Sequence, residues 1–95
     1  MGNTIIKKSF DRFILNRVGF GATCTPGRSY NSFTYNNPFP GTEIDGIIVI
    51  RTPNDNWITG YAEMQSSNTF NVSYQNNYSG NIQGDWDFIF VHRYT

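Results

Sequence analysis

The sequence predicts an all-β fold, an antiparallel β-sandwich of about seven short strands. Composition is the first reason: aromatic residues make up 17% of the chain and charged residues only 15%. Lys, Glu, Ala and Leu, which favour helices, are scarce, whereas Phe, Tyr, Ile and Val fit a pleated, half-buried surface. The second reason is alternation. In Thr69–Gln75, Phe70, Val72 and Tyr74 share one face while Asn71, Ser73 and Gln75 share the other. Asp85–Tyr94 repeats the pattern, with Trp86, Phe88, Phe90, His92 and Tyr94 on one face. Third, no stretch places apolar residues at helical spacing without an interrupting Gly or turn signal.

The elements follow in chain order. Asn3–Ser9 is the first expected strand, with Ile5 and Ile6 between polar residues, and Phe10-Asp11 can turn it into Arg12–Val18. Gly19–Arg28 contains three Gly and Pro26, a composition that predicts a loop. Ser29–Tyr35 is extended, with Phe33 and Tyr35 on one face, and Asn36–Gly41 is a turn rich in Asn and Pro. Thr42–Arg51 is apolar on both faces: Ile44, Ile48 and Ile50 on one, Ile47 and Val49 on the other. That predicts a central strand covered twice. Thr52–Asn56 turns the chain into Trp57–Met64. After Thr69–Gln75, Asn76–Gly84 reads as a long polar connection to the last strand.

A chain of 95 residues has room for one core, which buries roughly 60–70% of the surface exposed by the unfolded chain. Disorder is excluded by the wealth of aromatic and β-branched residues. Cys24 is the only cysteine, so no intrachain disulfide can form. The longest apolar run, Ile47–Ile50, falls far short of the roughly 18 residues a spanning helix needs, so no membrane insertion is expected. No secretory h-region is visible, yet the chain opens Met-Gly-Asn and enters strand-like sequence at once, as a mature domain does when restarted with an initiator Met. Two sequons, Asn71-Val72-Ser73 and Asn77-Tyr78-Ser79, and a composition low in Lys and high in Asn and Tyr favour secretion over the cytoplasm.

Several segments together resemble a known family. They are Asp11-Arg12-Phe13-Ile14-Leu15, Phe33-Thr34-Tyr35, the spaced Ile44, Ile47 and Val49, Gly60-Tyr61-Ala62, Phe70-Asn71-Val72-Ser73-Tyr74, and the closing strand from Asp87 to Tyr94. In that order they resemble the multiprotein bridging factor two family of small insect proteins. The Asn76–Gly84 connection is longer and less basic than the family's usual turn, and the Cys24 loop has no counterpart there. The resemblance implies a non-enzymatic domain, often secreted, that binds or bridges protein partners, and it carries over no catalytic residue.

Chemistry is hard to assemble from the residues themselves. One Cys and one His are available, and a nucleophilic dyad would need Cys24 and His92 as neighbours in space. No G-x-S-x-G elbow occurs, and Gly19-Phe20-Gly21 fails as a dinucleotide fingerprint because Cys24 stands at its third glycine position. No cofactor is expected. A zinc site would need further ligands beside Cys24 and His92. Calcium needs only oxygens, and Glu43 with Asp45, or Asp85 with Asp87, could offer them from one side of a strand. The simpler account is that acids at strand ends discourage edge pairing, so no metal is expected. Seven basic and seven acidic residues cancel, and only Lys7-Lys8 are adjacent, which argues against nucleic acid.

One constellation remains. If successive strands run up and down, Gly19–Arg28, Thr52–Asn56 and Asn76–Gly84 gather at one end. That end is expected to display Asn54, Asp55, Asn56, Trp57, Asn76, Asn77, Tyr78, Asp85 and Trp86. Amides, carboxylates and flat aromatic faces suit a protein surface or the C–H faces and hydroxyls of sugars. The competing account is that Asn and Asp merely form turns while both Trp point inward. The expected partner is therefore a protein or, as the alternative, a glycan bound in lectin fashion with or without calcium. Exposed edge strands and zero net charge further predict self-association, with a homodimer as the expected form.

Overall fold

Two strands whose inward positions are almost wholly apolar organise the molecule, one at the middle of each of two sheets. A computed structural model describes residues 12–95, which form six strands and no helix. The strands are β1 (Phe13–Cys24), β2 (Gly27–Thr34), β3 (Thr42–Arg51), β4 (Ile58–Met64), β5 (Thr69–Asn76) and β6 (Ile82–Tyr94). They form two three-stranded antiparallel sheets, sheet A in the order β1-β6-β3 and sheet B in the order β2-β5-β4. The expected strand Asn3–Ser9 lies outside the described residues.

Alternation explains which strands are central. Along β5, Phe70, Val72, Tyr74 and Asn76 are buried, and along β6, Trp86, Phe88, Phe90 and His92 are buried. These two rows meet through their rings. Phe70 lies edge-on to Phe88 and Phe90, each with centroids 5.2 Å apart. Edge-to-face geometry places a ring's positive rim against a negative face, so these contacts add to the burial of apolar area. Phe20 and Phe33 close the cluster from β1 and β2. Tyr35 stacks flat on Phe90 at 3.7 Å.

Three expectations are corrected. Gly19–Arg28 is not a loop: β1 continues to Cys24, because Val18, Phe20, Ala22 and Cys24 keep the inward alternation while Gly19 and Gly21 fall on the outer face. The turn itself is only Thr25 and Pro26, with Gly27 at φ 88°, a left-handed conformation that glycine adopts without steric cost. The Asn76–Gly84 connection is shorter than expected, residues 77–81, since Asn76 ends β5 and Ile82 starts β6.

β3 is an edge strand and not a central one. Register shifts between Ile44 and Gly46, and between Val49 and Arg51, insert extra residues. Ile44, Ile47 and Val49 thereby all pack on the core, while Ile48 and Ile50 remain 53% and 41% exposed. The greasy second face of this strand looks outward.

Candidate functional site

The pairing register gathers the β1–β2, β3–β4 and β5–β6 connections at one end. Cys24 is opposite Ile82, and both Gly27 and Ile58 are opposite Asn76. The end expected from the sequence therefore exists, but its nine residues divide. Trp86 is fully buried: its indole Nε1 donates to Asn31 Oδ1 at 2.9 Å, and its ring lies against Gly60, where an added Cβ would come within 2.7 Å. Asn76 is buried too, and its Nδ2 donates to the carbonyls of Cys24 at 3.1 Å and Gly80 at 3.2 Å. Both were expected on display, and both instead hold the end together. The reason is the alternation of β5 and β6, which assigns their positions to the inward row.

Turn formation occupies further members. Asp55 Oδ1 accepts from the backbone N–H and the hydroxyl of Thr52, each at 3.1 Å, and Asn54 Oδ1 accepts from the Asn56 N–H at 3.0 Å. The β3–β4 loop then lies so close to β6 that a Cβ at Gly84 would fall 2.7 Å from the Pro53 carbonyl oxygen. Asp85 is exposed on the outer face of sheet A, opposite Gly21. Of the nine, the end presents Asp55, Asn56, Trp57, Asn77 and Tyr78 to solvent. The Trp57 and Tyr78 rings lie 5.3 Å apart, and the Asn77 N–H donates to the Trp57 carbonyl at 2.9 Å. Asn77, one of the two sequon asparagines, is therefore on an exposed turn; Asn71, the other, is on the outer face of β5.

Chemistry-bearing residues are kept apart. Cys24 stands at the loop end, and Ile14, opposite His92, marks the far end of the same sheet. Ten residues of β6 separate the two levels, on the order of 33 Å. Burial pushes the Cys24 thiol up and the His92 imidazole down, so both favour the neutral form. Three of the four acids in the expected pairs are answered by arginines: Arg93 bridges Glu43 and Asp45, and Arg17 pairs with Asp87. The hydrogen bond from Arg17, and its charge, hold the Asp87 carboxyl below its ordinary value. Among the described residues, no group of three or more His, Cys, Asp or Glu is placed to hold a metal ion.

The outer face of sheet A is a feature that strand patterning alone had hidden. Leu15 is paired with Val91, and Ile48 with Ile89, so these residues form a contiguous apolar centre with Leu15 64% exposed. The Arg93 bridge borders it on one side and the Arg17–Asp87 pair on the other. The signal for it was present in the sequence as the second apolar face of Thr42–Arg51, which only the edge position turns outward.

Sheet B carries a second outer feature. Tyr30 and Tyr61 both pair with Ser73, one from each side, and each is 61% exposed. Arg28, Gln75 and Thr59 form the adjoining row, and the whole is a trough of about 770 Å³. Sequence reasoning missed it because its residues belong to three separate strands. No protein-family profile, curated protein or solved structure matches this chain.

Proposed function

We propose that this chain is a non-enzymatic, secreted β-sandwich whose sheet A outer face docks a protein partner. The observation that carries this is the apolar centre of Leu15, Val91, Ile89 and Ile48, rimmed by arginine–carboxylate pairs. An apolar core with a polar rim is how protein interfaces are built, because desolvating the centre drives association and the rim sets orientation. The resemblance to the multiprotein bridging factor two family supports the same class of activity. Wide separation of Cys24 and His92 supports binding over catalysis. The exposed Asn77 sequon supports secretion, and a mass loss on deglycosylation after expression through a secretory pathway tests it.

A double variant, Leu15→Lys with Ile48→Lys, tests the docking face. Its strand content by circular dichroism is expected to match the parent, since both side chains face solvent. Partners retained by the immobilised parent are expected to be lost by the variant. The same face offers a site for homodimerisation, and sedimentation of parent and variant at micromolar concentration reads that directly. An unchanged set of partners and an unchanged oligomeric state would remove the proposal.

A carbohydrate ligand at the loop end is the second reading, favoured by the paired, exposed rings of Trp57 and Tyr78 beside Asn56 and Asn77. Calorimetric titration of Trp57→Ala with and without a chelator tests both the ligand and any calcium requirement.

A further inference from the structure

We infer that the trough on the outer face of sheet B is a binding site for an acidic glycan. This is independent of the docking face on sheet A and of the loop end. Three observations carry it. The first is geometry: Tyr30 and Tyr61 flank the small Ser73 across the central strand. Their strands are two spacings apart, roughly 9.5 Å. That leaves room for one saturated ring between two aromatic faces, at van der Waals gaps of about 3.5–4 Å on each side. Neither tyrosine ring is stacked with another ring among the described residues, and each side chain is 61% exposed.

The second observation is the polar complement. Ser73 and Thr59 supply hydroxyls, and Gln75 supplies an amide whose NH₂ group has no partner among the described residues. Such groups match sugar hydroxyls, while tyrosine faces match the C–H side of a pyranose. A flat apolar peptide face would leave this floor unsatisfied.

The third observation is charge. Arg17, Arg51 and Arg93 each lie beside or opposite a carboxylate, and Arg12 lies 4.7 Å over the ring of Tyr94. Arg28 has neither: its Nε donates to Gln75 Oε1 at 2.9 Å, which fixes the guanidinium at the end of the trough and leaves its outer N–H fork unpaired among the described residues. A fixed fork of this kind suits a planar carboxylate or a sulfate on the sugar. Because the chain's net charge is zero, no bulk field attracts polyanions indiscriminately, and the Arg28→Gln comparison separates this fork from the chain's other cations.

Titration calorimetry with three probes tests the assignment: an oligogalacturonide, a heparin-derived sulfated oligosaccharide and a neutral chito-oligosaccharide. At least one acidic probe is expected to bind more tightly than the neutral one, and the better of the two identifies carboxylate or sulfate as the recognised group. Arg28→Gln is expected to weaken that probe by about tenfold or more, the scale of a lost charge-assisted hydrogen bond. Tyr30→Ala and Tyr61→Ala are each expected to weaken all binding, with strand content retained because both side chains are exposed. Equal affinity for the neutral probe, no binding of either acidic probe, binding of an acidic peptide in their place, or a loss caused by Trp57→Ala but not by Tyr30→Ala would each overturn the site.

Discussion

The Tyr35 hydroxyl lies 2.6 Å from His92 Nε2, and its neighbours fix the direction of that bond. Asn16 Nδ2 donates to the Tyr35 oxygen at 2.8 Å. At the other side of the imidazole, the Thr42 hydroxyl donates to the Phe39 carbonyl at 2.7 Å, so its oxygen accepts from His92 Nδ1 at 3.3 Å. His92 is therefore neutral with its proton on Nδ1, and Tyr35 donates to Nε2. A second proton on the ring would set two donors against each other at Nε2.

Stability is accordingly expected to fall in mild acid. The unfolded chain binds a proton on His92 near pH 6.5, at about the ordinary histidine value, whereas burial lowers the value in the fold. Across that window the unfolded state holds more protons, so stability rises with pH and is lost as pH drops. Urea midpoints between about pH 7 and pH 5 check this, the lower limit keeping clear of ordinary carboxylates. His92→Gln is expected to lose that slope, while costing about 1–3 kcal/mol from disturbed partners. An identical slope in parent and variant would assign it elsewhere.

Gly60 is expected to resist any side chain. A Cβ there would lie 2.7 Å from the Trp86 ring and 2.8 Å from the Ser73 carbonyl oxygen. Gly60→Ala should cost about 1–3 kcal/mol by forcing the ring and the strand apart. Gly46→Ala meets nothing within 4 Å and is the matched comparison, expected to be much milder by chemical denaturation.

The two tryptophans should behave oppositely. Trp86→Ala empties the core and is expected to cost about 3–5 kcal/mol, whereas Trp57→Ala, at a residue 42% exposed, should cost only about 0.5–1.5 kcal/mol, the scale of its lost contact with the Tyr78 ring. Acrylamide should quench Trp57 and spare Trp86, so Trp57→Ala leaves a blue-shifted, protected emission.

Cys24 offers a probe of opening. Its thiol is buried, its value is pushed up by burial, and its Sγ reaches Asn31 Oδ1 at 3.6 Å. Reaction with a disulfide reagent at mild alkaline pH is expected to be slow in the native state and to accelerate with denaturant. Rapid native labelling would show that the loop end opens locally.

Much of the fold was legible in the sequence, and the misses have physical causes. Phe70, Val72 and Tyr74, and Trp86, Phe88, Phe90 and His92, declare their inward rows by simple alternation. Gly19 and Gly21 carry the composition of a loop, yet the inward row of Val18, Phe20, Ala22 and Cys24 runs past them and keeps the strand going. Ile48 and Ile50 misled because a bulge changes which residues face the core, and no local pattern announces a bulge. The loop end was legible as a place, through three turns, but not in its contents. Alternation already assigns Asn76 and Trp86 to the inward rows, but the groups that hold them there, the Cys24 and Gly80 carbonyls and the Asn31 side chain, are distant in the chain or in the next turn. The Tyr30–Ser73–Tyr61 row was illegible for the same reason, since only the lateral pairing of three strands creates it.

The strand order has a consequence for synthesis. All members of sheet B leave the ribosome before β6, whereas among the described residues β1 and β3 have no hydrogen-bonded strand partner until β6 arrives. One layer can be assembled while its aromatic underside still awaits a lid, and two ribbons drift unpaired in the meantime. Mutations that slow the last ribbon's arrival or weaken its grip should thus show first as aggregation of new chains, even where the finished molecule is scarcely less stable.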